Sequence, residues 1–223
     1  QKGGHLILNG ENILELPQYY HLNQIWLDRL SEANVEQFLI NTHYLADQVS
    51  AFVSKSPFQE KIQLVHENFL LGTAGTLIQN LDFFQGQDGL LIHADNYCLA
   101  DIAAFKYAHI NRPSGCVITM MTFRTDDPSS CGIVELDESG VVIGFHEKMK
   151  NPPGNLANGA VYILSAEFLG KMGTDLKSIT DFSTEVLDRF KGQIFSYEVS
   201  DVFLDVGTPK RYEQANNLRT LEN

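Results

Sequence analysis

The sequence predicts an α/β fold in which a mostly parallel central sheet is flanked by helices. Three observations lead to this prediction. Apolar segments of strand length alternate with segments of helical periodicity along most of the chain. The clearest strand, 89–95, is a continuous apolar run that ends in an acidic residue, as expected for a strand buried on both faces. Between about 123 and 165 short strands are joined by turns, which indicates a β-rich insertion.

The first half of the chain supplies alternating helices and strands. A glycine-bearing turn over 71–76 is predicted to lead into a helix. Asp101 precedes an apolar segment and is predicted to cap the helix that begins there. The predicted strands are 38–40, 61–65 and 89–95, and the predicted helices are 23–33, 45–53, 76–84 and 102–110.

The second half combines strands, a hairpin and three helices. The turn at 138–140 separates two short apolar segments, which predicts a β-hairpin. Pro209 after Thr208 marks the start of a last helix. The predicted strands are 116–122, 132–137, 141–145, 160–164, 194–199 and 202–206, and the other predicted helices are 166–172 and 183–190.

Composition and charge exclude several classes of protein. Of the 223 residues, 43% are hydrophobic and 20% charged, which argues against disorder. With 16 basic and 28 acidic residues, the net charge of −12 leaves too few cations for a nucleic-acid-binding face. No apolar run reaches the roughly 18 residues that cross a bilayer, and no signal peptide is evident. We therefore expect one cytoplasmic domain over 1–223 that binds neither nucleic acid nor membrane.

The cysteines and histidines do not form a metal-binding pattern. Cys98, Cys116 and Cys131 are odd in number and lack metal-ligand spacing, so we expect buried, reduced thiols. Histidines without ligand spacing are interpreted as structural or solvated, and these are His43, His66, His93, His109 and His146.

Two acidic residues stand at the ends of predicted apolar strands. Asp95 follows the run 90–94, and Asp205 ends the segment 203–205 just before a predicted helix. In open α/β sheets ligands bind beyond the carboxyl ends of the strands. Mg²⁺ commonly takes one or two protein carboxylates and completes its shell with phosphate and water. Each residue is therefore a candidate magnesium ligand, and each is equally consistent with an ordinary turn.

Three further segments could contact a substrate. The glycines of 71–76 would let backbone amides approach a nucleobase or phosphate, although a helix-entry turn explains them as well. Lys148 beside Glu147 could hold a phosphate as a point charge or form a solvated surface pair. Asn158 and Gly159 could offer an amide and a bare backbone to sugar hydroxyls, or form a turn.

Taken in order, these pieces resemble the sugar-nucleotide pyrophosphorylase family, whose members are sugar-1-phosphate nucleotidyltransferases. The resemblance is greatest to bacterial, mannose-1-phosphate guanylyltransferase-like members that activate mannose, heptose or glucose-type sugars. It implies a Rossmann-like fold of the nucleotide-diphospho-sugar transferase type, and a role in polysaccharide biosynthesis. The matching segments are 38–45, Glu67 with 71–75, 94–96, 131–134, 145–148, 158–162, 181–186 and 205–209.

The resemblance also implies a reaction and a set of site residues. A nucleoside triphosphate and a sugar 1-phosphate would give a nucleotide sugar and pyrophosphate, with Mg²⁺ as cofactor, in a protein that often forms homo-oligomers. Asp95 and Asp205 would bind the metal and, with Lys148 on the sugar phosphate, form the catalytic set. The substrate-binding residues it implies are Gly132, Glu147, Asn158 and Gly159 for the sugar, and Gly72, Thr73 and Gly75 for the nucleobase.

The chain departs from the family near its start. The family's Gly-x-Gly-Thr-Arg phosphate loop and Pro-Lys-Pro segment are absent, since 9–12 reads Asn-Gly-Glu-Asn and 22–24 reads Leu-Asn-Gln. Three explanations stay open: the loop is missing from this sequence, the chain has been cut, or the protein is a non-catalytic relative that binds sugar nucleotides. A glycosyltransferase of similar fold is a weaker alternative, because 95–97 lacks an Asp-x-Asp motif.

Overall fold

A computed structural model gives the fold of the chain. For residues 4–9, 19–23 and 205 it describes the backbone alone. The segment 9–12, apart from Asn9, and the helix predicted from Thr208 lie outside the described residues. The described residues are 4–9, 19–201, 203–206, 213, 215 and 217.

Eleven strands and six α-helices are assigned within the described residues, together with one π-helical turn. The strands are β1 (Gly4–Asn9), β2 (Val35–Thr42), β3 (Ile62–His66), β4 (Gly89–His93), β5 (Asn96–Cys98), β6 (Ile118–Arg124), β7 (Gly132–Leu136), β8 (Val142–Glu147), β9 (Leu156–Leu164), β10 (Ile194–Val199) and β11 (Phe203–Asp205). The helices are α1 (Tyr19–Glu32), α2 (Ala46–Val53), α3 (Gly72–Gln79), α4 (Ile102–Ile110), α5 (Ala166–Asp175) and α6 (Leu187–Arg189), and the π-helical turn is Phe182–Val186.

The central sheet has the strand order β10-β6-β9-β4-β1-β2-β3, which confirms the predicted α/β fold. Neighbouring strands run parallel except at β9, which is antiparallel to both β4 and β6. The β7–β8 hairpin attaches to β9 and forms the β-rich insertion. β9 itself, which lies inside the predicted insertion, is a full member of the central sheet. A separate two-stranded sheet pairs β5 with β11.

Both faces of the central sheet are buried, as the continuous apolar strands predict. On β4, Leu91 packs with Tyr162 and Phe182 on the face covered by α5 and the π-helical turn. The neighbouring Leu90 and Ile92 belong to the opposite cluster, which includes residues of α1 and α4. Each fully buried side chain of this size contributes about 1.5–3 kcal/mol to folding. The sheet is therefore well packed on both faces beneath the residues at its strand ends.

Three predicted helix starts are wrong. The helix predicted from 23 begins at Tyr19, and local hydrogen bonds explain the other two. The segment predicted as a turn before position 76 is the first part of α3, which begins at Gly72. The carbonyl of Thr180 accepts hydrogen bonds from the amides of Ala74 and Gly75 in the first turn of this helix, where amides need partners outside the helix. The helix predicted over 183–190 begins as the π-helical turn, where Asp181 caps the amide of Thr184.

The cap predicted at Asp101 is confirmed, because its carboxylate accepts a hydrogen bond from the amide of Ala104 at 3.0 Å. All three cysteines are free thiols, as expected, and Cys98 and Cys116 are buried. Cys131 is partly exposed, so the prediction that it is buried is wrong; it faces a cleft. No helix within the described ranges is long and apolar enough to cross a membrane.

Candidate functional site

A polar cleft of about 280 Å³ opens at the carboxyl end of β4, beside the β7–β8 hairpin and the start of α3. Its position agrees with the rule that places ligands beyond the strand ends of α/β sheets. Seven of the ten predicted site residues line it. These are Thr73, Asp95, Gly132, Glu147, Lys148, Asn158 and Gly159.

The two predicted metal ligands come from chain segments that lie side by side. Asp205 of β11 pairs with Asn96 of β5. The amide of Val206 donates to the carbonyl of Asp95 at 2.9 Å. Asp95 also lines the cleft. For Asp205 the structure describes the backbone, which runs directly beside the turn that carries Asp95.

The turn that carries Asp95 is anchored from two sides through Asn96. The buried Asn96 side chain donates from Nδ2 to the carbonyl of Gly159 at 3.0 Å. Trp26 of α1 donates from Nε1 to the carbonyl of Asn96 at 2.8 Å. These bonds fix the strand end relative to β9 and to α1. Position 159 of β9 also requires glycine, because it packs closely against β11 and β6. A Cβ at Gly159 would lie 2.9 Å from the Phe203 ring and 3.0 Å from the carbonyl oxygen of Met121.

Glu147 and Lys148 lie together on the opposite wall of the cleft. Burial raises the pKa of Glu147, Lys148 lowers it, and Asp181 raises it further. Lys148 has a φ of +45°, a rare conformation outside glycine, and its Nζ lies 3.8 Å from Glu147 Oε1. The Lys148 side chain is 69% exposed, so it can turn toward an anionic ligand. Gly132 makes room for this arrangement, since a Cβ there would lie 2.7 Å from Glu147 Oε2.

Asn158 is held in a fixed orientation at the floor of the cleft. Its Oδ1 accepts a hydrogen bond from the amide of Ala160 at 2.9 Å, and its Nδ2 donates to Tyr162 Oη at 2.7 Å. Burial raises the pKa of Tyr162, so its hydroxyl keeps its proton. An amide has two donor and two acceptor positions, so one of each is left for a ligand after these two bonds.

The glycines of α3 contact the protein's own backbone. Gly72 has a φ of +75°, and a Cβ there would lie 2.4 Å from the carbonyl oxygen of Thr180. Gly75 has Leu71 Cβ 3.0 Å from its virtual Cβ. Neither glycine is among the residues that line the cleft, whereas Thr73 is. Thr73 Oγ1 accepts a hydrogen bond from the amide of Phe182 at 2.8 Å, which binds α3 to the π-helical turn.

Sequence reasoning gave no role to Glu67, which supports this wall. Its carboxylate is 4% exposed and accepts hydrogen bonds from Thr76 Oγ1 at 2.5 Å and from the amide of Leu71 at 3.3 Å. The carboxylate therefore holds both ends of the first turn of α3. A buried carboxylate is costly unless it is hydrogen-bonded, and these donors supply the compensation. The signal in the sequence was an acid two residues after the predicted strand 61–65.

Sequence reasoning also gave no role to the π-helical turn, although the segment was part of the resemblance. Asp181 Oδ1 accepts from the amide and hydroxyl of Thr184, and Glu185 Oε1 accepts from the amides of Thr180 and Asp181. The spacing of these capping residues was the available signal. Cleft residues without a predicted role are His93, Asn96, Phe123, Ser130, Cys131, Ala160, Asp181, Ser183, Thr184 and Phe203.

The donor set of the cleft fits a hard divalent cation. Asp95, Glu147 and Asp181 face one lysine, Lys148, so the described charges around the cleft are predominantly negative. Phosphorylated ligands are anionic and need compensating positive charge at such a place. Among the described residues no three His, Cys, Asp or Glu side chains form a ready metal cage. Mg²⁺ needs no such cage, because one or two carboxylates suffice when phosphate and water supply the remaining ligands.

The sequence of the chain is similar to those of known nucleotidyltransferases. The sequence profile of the Nucleotidyl transferase family matches residues 12–221. Glucose-1-phosphate adenylyltransferases from Thermotoga maritima and Thermotoga neapolitana are each 28% identical over 156 residues, which is 65% of this chain. The aligned region spans 37% of the length of these curated relatives.

The fold is shared with a solved structure. HddC from Yersinia pseudotuberculosis, complexed with GMP-PN, superposes with a TM-score of 0.78 at 21% identity. The match covers 98% of this chain and 100% of the HddC chain. At this identity the likeness concerns the fold alone, whereas the sequence profile matches nearly the whole chain. The chain belongs to the nucleotidyl transferase family.

Proposed function

We propose that this chain, as one nucleotidyltransferase domain, joins a nucleoside triphosphate to a sugar 1-phosphate and releases pyrophosphate. The observation that carries the proposal is the cleft itself. Residues from six of the eight segments that carry the family resemblance line it. The family match over 12–221 supports the same reaction class.

The reaction is an in-line displacement at phosphorus. An oxygen of the sugar phosphate forms a bond to the α-phosphorus, the bond from that phosphorus to the bridging oxygen breaks, and pyrophosphate leaves with the electron pair. The nucleophile is already an anion, so the protein needs no strong general base. Positioning and charge compensation are the main requirements. We assign Lys148 to the sugar phosphate, because its exposed ammonium can reach an anion across the cleft.

Asp95 and Asp205 are the proposed Mg²⁺ ligands, supported by the backbone pairing that joins their two segments. When bound, Mg²⁺ would neutralise phosphate charge beside the carboxylates of the cleft.

The remaining residues are assigned to substrate recognition. Glu147 lines the cleft with a side chain that is 33% exposed, so it can accept hydrogen bonds from sugar hydroxyls. Asn158 offers one remaining donor and one remaining acceptor in a fixed orientation. The α3 residues Gly72, Thr73 and Gly75 are assigned to the nucleobase, with the two glycines shaping the turn that presents Thr73.

The test is pyrophosphate release with Mg²⁺, a set of nucleoside triphosphates and a set of sugar 1-phosphates. Asp95→Asn keeps the size of the side chain and removes its charge, so we expect turnover to fall by roughly 100-fold or more. Asp175→Asn is the matched control, because Asp175 is an exposed aspartate at the end of α5 outside the cleft. Full turnover in Asp95→Asn would contradict the metal assignment.

A non-catalytic sugar-nucleotide-binding protein is the second candidate. The observation that favours it is the Asn-Gly-Glu-Asn sequence at 9–12, where the family carries its phosphate loop. This candidate predicts calorimetric binding of a nucleotide sugar without turnover, and measurable turnover excludes it. A glycosyltransferase is disfavoured, because 95–97 lacks an Asp-x-Asp motif and neither Asn96 nor Tyr97 supplies a second carboxylate beside Asp95.

The cellular setting of the reaction is part of the proposal. A nucleotide sugar made from a triphosphate is a precursor for polysaccharide synthesis, and nucleoside triphosphates are cytoplasmic. We therefore assign the chain to a cytoplasmic step that supplies activated sugar for polysaccharides.

A further inference from the structure

A second cavity lies at the amino end of β4, at the opposite end of that strand from the cleft. It has a volume of about 380 Å³ and lies between the end of α4, the start of α5 and the first residues of β4. We call it the α4–α5 cavity. Its apolar lining is Leu90, Ile110, Ile163 and Ala166, and its polar lining includes Asp88 and His109. A volume of this size accommodates a small organic molecule.

The α4–α5 cavity is separate from the cleft, although both are built on the same two strands. Leu90, near the start of β4, lines the cavity, whereas Asp95 follows the other end of that strand. Five residues of extended chain span roughly 15 Å. On β9, Ile163 lines the cavity and Asn158 lines the cleft. A ligand in the cavity would therefore leave the proposed substrate site unobstructed.

One buried polar atom at the cavity wall lacks a hydrogen bond. His109 is 3% exposed, and its Nδ1 lies 2.7 Å from Thr119 Oγ1. Within the described part of the chain, its Nε2 has no hydrogen-bond partner. Asp88 Oδ2 lies 3.6 Å from Nε2, a contact that lowers the pKa of Asp88 but is longer than an ordinary N–H···O hydrogen bond. An unsatisfied buried polar group is costly, so this atom points to a ligand that would satisfy it.

The polarity of this corner limits the ligand's chemistry. Burial lowers the pKa of His109, so the ring is neutral at pH 7. We assign its proton to Nε2, which faces the Asp88 carboxylate, and Nδ1 then accepts from the Thr119 hydroxyl. The corner therefore presents a donor, the His109 N–H, beside an acceptor, Asp88 Oδ2. A hydroxyl is the simplest group that accepts from one and donates to the other.

Charged ligands fit this corner less well. The negative charge of Asp88 would repel a carboxylate or phosphate. Lys106, the lysine on the cavity wall, already donates from Nζ to the carbonyl of Ala33 at 2.7 Å. An ammonium group would pair with Asp88 but could not accept from the imidazole N–H.

We propose that the α4–α5 cavity binds a small neutral molecule with an apolar body and one hydroxyl, which bridges His109 Nε2 and Asp88 Oδ2. The apolar body lies against Leu90, Ile163 and Ala166. This site is independent of the proposed nucleotidyl transfer.

The test is fluorine NMR of the full chain with 4-fluorophenol as the probe and fluorobenzene as its hydroxyl-free counterpart. We expect saturable binding of 4-fluorophenol with a Kd on the order of 1 mM. Fluorobenzene should bind roughly 5- to 30-fold more weakly, the equivalent of one or two net hydrogen bonds. Equal affinities would overturn the hydroxyl assignment, and no binding up to about 20 mM would mean that the cavity holds water only.

Three variants locate the bound probe. Ala166→Phe fills the cavity and should abolish binding. Asp88→Asn keeps an oxygen for the amide of Ala166, which Asp88 now accepts at 2.8 Å, but removes the second acceptor. It should therefore weaken 4-fluorophenol toward the affinity of fluorobenzene. Glu167→Gln is the matched control, because this neighbouring exposed carboxylate pairs with Lys171 and should leave binding unchanged.

Two outcomes of these experiments contradict the location. Binding that persists in Ala166→Phe, in a variant that unfolds cooperatively like the parent, would place the probe elsewhere. Displacement of 4-fluorophenol by a nucleoside triphosphate or sugar 1-phosphate would show that it occupies the cleft instead. Because binding is read directly, failure of the proposed catalytic activity would leave this test unaffected.

Discussion

Gly72→Ala tests whether the first turn of α3 depends on direct backbone contact with Thr180. Gly72 has a φ of +75°, and an added Cβ would lie 2.4 Å from the Thr180 carbonyl oxygen and 3.0 Å from its carbon. That oxygen accepts from the amides of Ala74 at 2.9 Å and Gly75 at 3.3 Å. Thr180 therefore cannot retreat without lengthening two hydrogen bonds that start the helix.

The expected loss of stability follows from two costs. A non-glycine residue in the left-handed conformation costs about 1–2 kcal/mol. Overpacking against a backbone that cannot move costs about 1–3 kcal/mol more. The sum of roughly 2–5 kcal/mol corresponds to a melting temperature lower by roughly 4–20 °C for a domain of this size. Because Thr73 Oγ1 holds the amide of Phe182, the displacement should also disturb the cleft wall and weaken triphosphate binding.

The assay is thermal unfolding by circular dichroism, followed by calorimetric titration with the preferred nucleoside triphosphate. Gly170→Ala is the matched control, because Gly170 is an exposed position of α5 and its virtual Cβ has nothing within 4 Å. Alanine there should stabilise the helix by about 0.5–1 kcal/mol. A Gly72→Ala protein that melts with the parent and binds the triphosphate equally well would refute the argument.

Two further predictions concern the opposite wall of the cleft. The pKa of Glu147 is raised in the folded state, mainly by burial. The free energy of unfolding therefore falls as the pH rises from the pKa of Glu147 in the unfolded chain to its pKa in the folded chain. Glu147→Gln should therefore melt higher at pH 7, by a margin that vanishes at low pH, while the KM for sugar 1-phosphate rises; an equal or lower melting temperature at pH 7 would contradict this. Cys131 is partly exposed in the cleft, whereas Cys98 is buried with its pKa raised to about 11. Iodoacetamide should label Cys131 first, as read by peptide mass spectrometry, and sugar 1-phosphate should slow that labelling; faster labelling of Cys98 would contradict the description.

Most of the fold could be predicted from the alternation of apolar strands and helices, because a strand that is buried on both faces appears in the sequence as a continuous apolar segment. β10 has the predicted bounds, and β4 begins where predicted. The antiparallel direction of β9 could not be predicted in this way. Strand direction depends on how the chain returns to the sheet, and the pairing of β9 with β4 and β6 joins residues far apart in sequence.

The site was partly predictable for the same reason. Asp95 stands out because an acid after a buried strand is conspicuous, and the strand-end rule then directs attention to one edge of the sheet. Asp181 gave no such signal, since its place in the cleft depends on the contact between α3 and the π-helical turn. That contact rests on the Thr180 carbonyl and the Thr73 hydroxyl, which are unremarkable in sequence.

Glycines show the limit of motif reasoning most clearly. Gly72 is predicted to lie against the nucleobase and Gly132 to line the sugar pocket, and each is also required by a neighbouring group of the protein itself. At Gly72 that group is the Thr180 carbonyl, and at Gly132 it is the side chains of Glu147 and Phe145. Their effect on a substrate is therefore through the shape of the wall that they permit.

The most direct test of the account is the stoichiometry of product formation by the chain itself. With Mg²⁺ and each pairing of nucleoside triphosphate and sugar 1-phosphate, pyrophosphate and nucleotide sugar are measured in the same reaction. The account predicts one preferred pairing that yields the two products in equal amounts, with the yield abolished in Asp95→Asn. Binding of a nucleotide sugar without pyrophosphate from any pairing would contradict it and identify a binding protein instead.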